Sequence, residues 1–309
     1  MIRIAFVHPH KSFLQNVEAY RNFFARYGID TSVHYPDDNA SINADCTWHF
    51  MGYHSRNSGK RITIHEYCSA SVPPFSGLKD RIKKWMSVVP DYRIFNGQYV
   101  KDKFDFRDQV PSGVRDYGVT EIYSEDAGCT EKEFDFIYLG AVGKERRLDR
   151  LFGFFTEGAL RGKTLLVLSQ HYSDLAAEMA RYSNIRFAGP VEHQEVSSYI
   201  RRCRYGINFI PDKTPYNRQA SAKLLDYAAS AIPVITTDYY WVRSFQEKSG
   251  GNFFFLAPDL ENLRWENIQE FPFRNPDLSG WAWEQQLQKC GVLAFLEQQF
   301  PGLDFNDPL

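Results

Sequence analysis

The chain has 309 residues, which is enough for two domains of ordinary size. Its formal net charge is −2, with 24% charged and 43% hydrophobic residues, a balance that is typical of globular proteins and argues against a nucleic-acid partner. The five cysteines are scattered without a Cys-x-x-Cys pair, so neither a zinc site nor a disulfide framework is expected. The N-terminus lacks a signal-peptide pattern, and no apolar run approaches the roughly 18 residues of a transmembrane helix, so we expect a cytoplasmic protein.

Strand and helix patterns alternate at the start of the chain. Residues 2–7 form an apolar strand, apolar residues then recur at helical spacing as far as Gly28, and residues 31–35 form the next strand. Further strands are predicted at 48–53, 62–67 and 91–96. This order predicts a Rossmann-like parallel sheet. Residues 101–130 are charged and turn-rich, and we place a linker between two domains near residues 124–132.

Polar residues cluster at the ends of these strands, where parallel α/β sheets bind ligands. A histidine beside a carboxylate can orient or deprotonate a substrate hydroxyl, so His65 and Glu66 are predicted to be catalytic. The alternative is that both residues only make hydrogen bonds at the end of a strand. The strand-end residues selected for substrate binding are His8, His10, Lys11, His54 and Tyr67.

Residues 78–89 form a basic amphipathic segment. One face carries Ile82, Trp85, Met86 and Val89, and the other carries Arg81, Lys83 and Lys84. Such a segment can lie on an anionic membrane surface as a peripheral contact. The alternative is an ordinary helix with its apolar face in the core.

The second half of the chain alternates regularly between strand and helix. Strands are predicted at 136–139, 164–169, 185–188, 205–210, 234–237 and 253–256. This alternation predicts a doubly wound parallel sheet. In the loop after its first strand, Gly140 and Gly143 let a ligand approach the backbone closely. Lys144, Arg146 or Arg147 in the same loop can neutralise a diphosphate.

Residues 217–238 are predicted to form a loop, a helix, a sharp stop at Pro233 and a buried strand. Ser221 is the expected helix N-cap. Lys223 and Asp226 share one helix face, because they are three residues apart. The helix N-terminus with Lys223 can hold phosphates, and Asp226 can accept from a ribose hydroxyl. The alternative is an ordinary surface ion pair between these two side chains.

Residues 221–234 resemble the donor-nucleotide motif of GT-B glycosyltransferases of the GT4 type, often Pro-x-Lys-Leu-x-Glu-Tyr-x-Ala-x-Gly-x-Pro-Val. Ser221 stands for the Pro and Asp226 for the Glu, and the usual Gly aligns with Ser230 or Ala231. The resemblance implies two Rossmann-like domains that face each other across a cleft. The expected boundaries are 1–130 for the acceptor domain, 131–278 for the donor domain, and 279–309 for a helical tail that crosses back to the first domain. The alternative for the tail is a helix that only caps the second core.

The same resemblance implies the donor site. Residues 189–191 resemble the family's Gly-x-Val loop, whose backbone reads the base, so Gly189 and Val191 are included. Many retaining relatives place two Glu eight residues apart, but here Arg218 stands eight residues before Asp226. Either the first acid is missing, or its catalytic role passes to Asp212 or to backbone donors. Arg218 is expected to clamp a phosphate or a sugar carboxylate, or else to be a solvated loop residue. The donor-binding set is Gly140, Gly143, Lys144, Arg147, Gly189, Val191, Arg218, Ser221, Lys223 and Asp226.

The resemblance implies a hexosyltransferase that uses a nucleotide sugar as substrate, UDP-linked first and GDP-linked next, and no cofactor or metal. The acceptor is a saccharide or lipid-linked saccharide in bacterial surface polysaccharide or glycolipid synthesis, and the anomeric configuration is retained. No nucleic acid is expected as a partner. Two alternatives are a non-catalytic sugar-nucleotide-binding module and a GT-B glucosyltransferase that acts on nucleic acid.

Overall fold

A computed structural model of the chain describes residues 1–9, 15–36, 42–51, 54, 61–120, 131–142, 146–169, 174–179 and 181–308. His10, Lys11, Gly143, Lys144 and most of the predicted linker lie outside these residues. The chain divides into two compact units. Met1–Thr120 and Gly280–Leu309 make up the N-terminal unit, and Glu121–Ser279 make up the C-terminal unit.

The N-terminal unit contains a six-stranded sheet in which every neighbouring pair is parallel. Its strands are β1 (Arg3–Val7), β2 (Asp30–His34), β3 (Cys46–Phe50), β4 (Ile62–Tyr67), β5 (Tyr92–Asn96) and β6 (Ser112–Arg115), in the order β2-β1-β3-β4-β5-β6. The first three helices are α1 (Gln15–Ala25), α2 (Ser76–Met86) and α3 (Gln98–Phe104). The core under β1 and β3 is aromatic, because Phe6, Tyr20, Phe24 and Trp48 are all fully buried.

The strand β6 lies in a segment for which the sequence predicted only turns. Its residue Gly113 explains the difference, since a Cβ atom at that position would overlap the backbone of Cys290. Glycine is therefore required at position 113, because a backbone segment that is distant in sequence packs directly against it. The local composition gives no sign of that contact.

The C-terminal unit contains a second parallel six-stranded sheet, as the βα alternation predicted. Its strands are β7 (Phe134–Leu139), β8 (Leu165–Leu168), β9 (Ile185–Ala188), β10 (Cys203–Asn208), β11 (Val234–Thr237) and β12 (Phe254–Leu256), in the order β12-β11-β10-β7-β8-β9. Its helices are α4 (Leu148–Thr156), α5 (Asp174–Met179), α6 (His193–Arg201), α7 (Ala222–Ala229), α8 (Tyr240–Ser249) and α9 (Trp265–Glu270), with a short 3-10 helix at Tyr216–Arg218. The strand order reverses between β7 and β10, so a ligand crevice is expected at their carboxyl ends.

The last helices, α10 (Trp283–Lys289) and α11 (Val292–Gln299), pack on the N-terminal unit. The Tyr92 hydroxyl donates to the Cys290 carbonyl at 2.6 Å, and the Asp116 amide donates to Gln286 Oε1 at 2.9 Å. The ring of Trp283 meets that of Tyr20 edge to face at 5.6 Å. The prediction that the tail crosses back to the first domain is confirmed, and the alternative of a cap on the second core is wrong. Within the described residues, no helix has the length and apolar character needed to cross a membrane.

Candidate functional site

The N-terminus of α7 is fixed by a buried polar network. Ser221 Oγ accepts from the Leu224 amide at 3.4 Å, which confirms the predicted N-cap, and donates to Asn208 Oδ1 at 2.7 Å. Asn208 Nδ2 in turn donates to Thr236 Oγ1 and to the Tyr239 hydroxyl, both at 2.9 Å. These bonds hold the start of the helix at the carboxyl ends of β10 and β11, beside the strand-order reversal.

Tyr227 holds the same helix against the sheet. Its hydroxyl accepts from the Leu139 amide at 2.8 Å and lies 3.3 Å from the Ile137 carbonyl. Its ring occupies the space that a Cβ atom at Gly206 would need. Tyr227 aligns with the tyrosine of the family motif, and in the structure it sets the distance between α7 and the strands β7 and β10.

Lys223 lies in the first turn of α7 and is partly buried. Its Nζ atom is 4.2 Å from the centroid of the Tyr138 ring. Gly140 has φ of +120° and carries no Cβ atom. A Cβ at this position would lie 3.6 Å from Lys223 Nζ, so the glycine leaves space beside the ammonium. Of the ion pairs formed by the described residues, none includes Lys223. The alternative of a surface pair with Asp226 is therefore not observed.

A second cation, Arg146, lies close to Lys223. The guanidinium of Arg146 stacks 4.7 Å from the Tyr216 ring centroid, and its Nε atom is buried without a hydrogen-bond partner among the described atoms. Burial, and then the charge of Arg146, hold the pKa of Lys223 well below its usual value. Two basic side chains thus stand at the positive end of a helix dipole, an arrangement that favours a ligand with more than one negative charge.

Arg147, which the sequence placed in the donor site, is directed elsewhere. It is exposed, has φ of 52°, and its Nε atom pairs with Asp149 at 3.8 Å. The loop geometry therefore favours Arg146 over Arg147 as the cation at the site.

The neighbouring strand ends carry the loop that was predicted to read a base. The Gly140 amide donates to Leu168 O at 3.0 Å, and the Ser169 amide donates to Ala188 O at 3.4 Å. Gly140, Ser169 and Gly189 thus follow three adjacent strands along one edge of the sheet. Gly189 has φ of +115°, which favours glycine. Val191 is two residues further along, and base reading by this loop stays a prediction.

The loop before α7 carries Asp212 and Arg218. Asp212 is exposed and accepts from Asn217 Nδ2 at 2.8 Å. The Arg218 guanidinium lies 4.4 Å from the centroid of the exposed Tyr240 ring. Asp212 borders a cavity of about 530 Å³. The cavity is lined by Asp212, Asp238, Tyr239, Tyr240, Arg243, Ser244 and Glu247. Asp226 is partly buried one turn beyond Lys223, and the roles of Asp212, Arg218 and Asp226 stay predictions.

In the N-terminal unit, Glu66 is a buried structural residue. Its carboxylate pairs with Arg115 and accepts from Asn16 Nδ2 at 2.9 Å and from Trp48 Nε1 at 2.8 Å. Both members of the ion pair are buried, with side-chain exposures of 1% for Arg115 and 0% for Glu66. A carboxylate enclosed in this way has no access to a substrate, so we replace the predicted catalytic role of Glu66 by a structural one.

His65 belongs to a cluster of three histidines at the ends of β3 and β4. His54 Nδ1 lies 2.9 Å from His65 Nε2, and the rings of His49 and His54 stack at 3.6 Å. Burial, followed by the neighbouring histidines, lowers the pKa of His65 to about 2. Burial and then His54 lower the pKa of His49 to about 3. His65 is fully buried, and an imidazole with so low a pKa is too weak a proton acceptor to serve as the general base that the sequence predicted.

The buried histidines predict a loss of stability in mild acid. The unfolded chain takes up protons near pH 6.5, whereas His49 and His65 in the folded state do so only near pH 3 and 2. The contribution of these histidines to the free energy of unfolding is therefore fully present above pH 6.5. It falls as the pH is lowered toward 3, by up to about 1.4 kcal/mol per pH unit for each histidine. The urea midpoint between pH 7.5 and pH 5 measures this slope. The variant His65→Gln should have a visibly shallower slope, and an unchanged slope would contradict the assignment.

Tyr67 and His8 differ in their surroundings. Tyr67 packs among Phe95, Phe104 and Phe106, and burial raises its pKa to about 12. It borders a cavity of about 490 Å³. The His8 ring meets Tyr35 edge to face at 5.0 Å. Substrate binding by His8, His54 and Tyr67 stays a prediction.

The fold is similar to that of solved glycosyltransferases. A glycosyltransferase from Rickettsia africae has a TM-score of 0.61 at 12% identity, with 97% of this chain and 99% of that chain covered. Alr3699/HepE of Anabaena, in complex with UDP and glucose, has a TM-score of 0.61 at 11% identity, with 97% and 98% covered. An alpha-glucosyltransferase in complex with UDP and a 13-mer DNA has a TM-score of 0.56 at 10% identity, with 97% and 99% covered.

These likenesses, together with the two parallel sheets, confirm the predicted GT-B fold. No protein-family model matches the chain, and no curated protein is similar to it in sequence. The assignment to the GT4 type within the fold stays a prediction.

Proposed function

We propose that the protein is a glycosyltransferase whose nucleotide-sugar donor places its diphosphate at the N-terminus of α7. The observation that carries this proposal is the pair of basic side chains there, Lys223 and Arg146, which pair with no carboxylate among the described residues. A diphosphate supplies the missing negative charge and can accept from first-turn amides that have no partner within the helix. Asp226, one turn further along α7, is proposed to accept from a ribose hydroxyl.

The same groups account for departure of the leaving group. In transfer, the bond between the anomeric carbon and the phosphate oxygen breaks, and its electron pair remains on the diphosphate. The acceptor oxygen bonds to the anomeric carbon, and its proton passes to an oxygen of the departing diphosphate. Lys223, Arg146 and the helix dipole stabilise the charge that develops on the leaving oxygen. Diphosphate binding also raises the lowered pKa of Lys223, so the amine is protonated when this charge develops.

A UDP-linked sugar is our first choice of donor and a GDP-linked sugar our second. Two similar solved structures hold UDP, which supports this order. The acceptor is proposed to be a saccharide or lipid-linked saccharide, with retention of anomeric configuration. Asp212 is proposed as the carboxylate that replaces the first acid of the family motif.

Nucleic acid is the second acceptor class to test, because one similar structure contains DNA. The net charge of −2 argues against it, since duplex DNA is bound mainly through cationic contacts to phosphate. A short DNA duplex belongs in the acceptor screen for this reason.

A thermal-shift panel of UDP-, GDP-, ADP-, dTDP- and CMP-sugars tests the donor site. We expect one nucleotide class to raise Tm, because a ligand at about 100 times its Kd stabilises the folded state by about 2.7 kcal/mol. Lys223→Ala and Asp226→Ala should lose the shift, and the exposed Lys248→Ala should keep it. If no nucleotide sugar shifts the wild-type protein at millimolar concentration, the donor-site proposal is wrong. For a nucleotide sugar that does raise Tm, release of free nucleotide from that sugar distinguishes an enzyme from a non-catalytic binding module.

A further inference from the structure

The apolar side of α2 faces solvent. The exposed fraction is 80% for Trp85, 75% for Phe75 just before the helix, and 71% for Val89 just after it. An amphipathic helix of a globular domain normally turns such residues toward the core. The exposed apolar residues of this stripe are Phe75, Leu78, Ile82, Trp85, Met86 and Val89. The alternative of an ordinary core helix, considered from the sequence, is therefore wrong.

The polar side of α2 attaches the helix to the unit. Asp80 is its one buried residue among those described, and it accepts from the Ser71 amide at 3.1 Å. Lys84 Nζ donates to the Phe104 carbonyl at 3.1 Å and also to the Asp105 carbonyl. Because these bonds fix the polar side inward, the apolar side is held outward by the fold.

The charge on the outer surface of α2 is positive. The helix contains four cations and one acid in its sequence, and that acid, Asp80, is buried. At about 100° per residue, Lys79 and Arg81 flank the apolar stripe on opposite sides. Both are exposed. The surface thus combines an apolar stripe, an exposed tryptophan and basic flanks, and its chemical complement is apolar and anionic.

We propose that α2, with Phe75 and Val89, docks on an anionic lipid bilayer, with the apolar stripe at the boundary between headgroups and acyl chains. Three features favour a bilayer over a protein partner. The stripe lies on a single helix, tryptophan suits the membrane interface, and the exposed charge near the stripe on α2 has one sign. Monomeric proteins seldom expose apolar patches of this kind without a binding role. The proposal does not depend on the proposed glycosyltransferase function.

Co-sedimentation with vesicles tests the proposal on the full chain. We expect binding to phosphatidylcholine vesicles that contain phosphatidylglycerol. Binding to phosphatidylcholine alone should be at least about tenfold weaker, because each basic residue near an anionic surface contributes roughly fivefold. Raising the salt concentration should weaken the electrostatic part of the binding.

Two double variants separate the apolar and the basic contributions. Lys79→Ala with Arg81→Ala should weaken binding about 25-fold. Trp85→Ser with Met86→Ser should weaken it at least about tenfold, through loss of apolar contact. Tyr240→Ser and Lys248→Ala, which remove an exposed aromatic residue and an exposed cation from the C-terminal unit, should not change binding. An unchanged Tm shows that each variant is folded.

Two results would overturn the proposal. In the first, wild type and both double variants sediment equally with anionic vesicles. In the second, the wild-type protein does not bind vesicles, and sedimentation velocity shows a dimer that Trp85→Ser with Met86→Ser abolishes. The surface would then bind a second copy of the chain. The nucleotide thermal shift is independent of both results, so the two proposals fail separately.

Discussion

Replacing Lys223 with methionine is expected to lower kcat/KM for sugar transfer by about 100- to 1,000-fold, the range seen when one preorganised electrostatic donor is removed from an active site. Methionine keeps much of the apolar stem and removes the ammonium, whose Nζ lies 4.2 Å from the Tyr138 ring centroid. The loss should be in kcat as well as in KM, because the ammonium interacts most strongly with the charge that develops on the leaving oxygen. Steady-state kinetics with the donor found in the thermal-shift panel measures both constants.

The neighbouring cation supplies a stringent second test. Arg146→Met should also lower kcat/KM, and the double variant should lose less than the product of the two single effects, since both side chains act on one anion. Lys248→Met is the matched control, because it removes an exposed cation from the last turn of α8. We expect its kcat/KM to stay within about twofold of the wild-type value. Full activity in Lys223→Met would place the diphosphate elsewhere.

Replacing Glu66 with alanine is expected to destabilise the N-terminal unit by about 3–5 kcal/mol, the usual cost of removing one member of a buried ion pair. The variant leaves Arg115 buried without its carboxylate and also removes the acceptor of Asn16 and Trp48. Hydrogen exchange measured by mass spectrometry should show lost protection in β1 to β6, while β7 to β12 remain protected. A catalytic role for Glu66 would instead leave the exchange unchanged and abolish only activity.

Two controls identify the ion pair as the cause. Glu18→Ala breaks an exposed ion pair, in which the side chains of Glu18 and Arg21 are 55% and 42% accessible. This variant should lower the free energy of unfolding by less than about 1 kcal/mol. Glu66→Leu combined with Arg115→Met removes both buried charges and should be less destabilised than Glu66→Ala alone, since no unpaired charge is left. A double variant less stable than the single one would show that the network stabilises mainly through its hydrogen bonds.

The sequence predicted those parts of the fold that depend on local pattern. Strand β9 and the start of α7 lie where predicted, because apolar periodicity and the Ser221 cap are properties of neighbouring residues. Strand β6 was not predicted, because Gly113 is required by the close approach of the Cys290 backbone, which lies far along the chain. Ala231, one of the two positions that align with the glycine of the motif, has φ of 55°, a left-handed backbone that favours glycine.

The site was predictable as a region but not as a set of contacts. Lys223 and Gly140 were selected from the helix start and from the loop after a strand, and the structure brings them together. The choice between Arg146 and Arg147 depends on which way one loop residue turns, and no local pattern encodes this. Glu66 was misread because its partner Arg115 is 49 residues away. The sequence also could not decide which face of α2 turns outward, because this depends on the contacts that bury Asp80.

The tail has a consequence for how the chain is made. The N-terminal unit needs residues Gly280–Leu309, whereas the C-terminal unit is one uninterrupted segment, Glu121–Ser279. During synthesis the second unit can therefore complete its core while the first still waits for α10 and α11 to leave the ribosome. The half that is translated first is finished last. Until then the Tyr20 and Tyr92 surfaces that the tail will cover stay open, and this interval is when a nascent chain of this design most needs a chaperone.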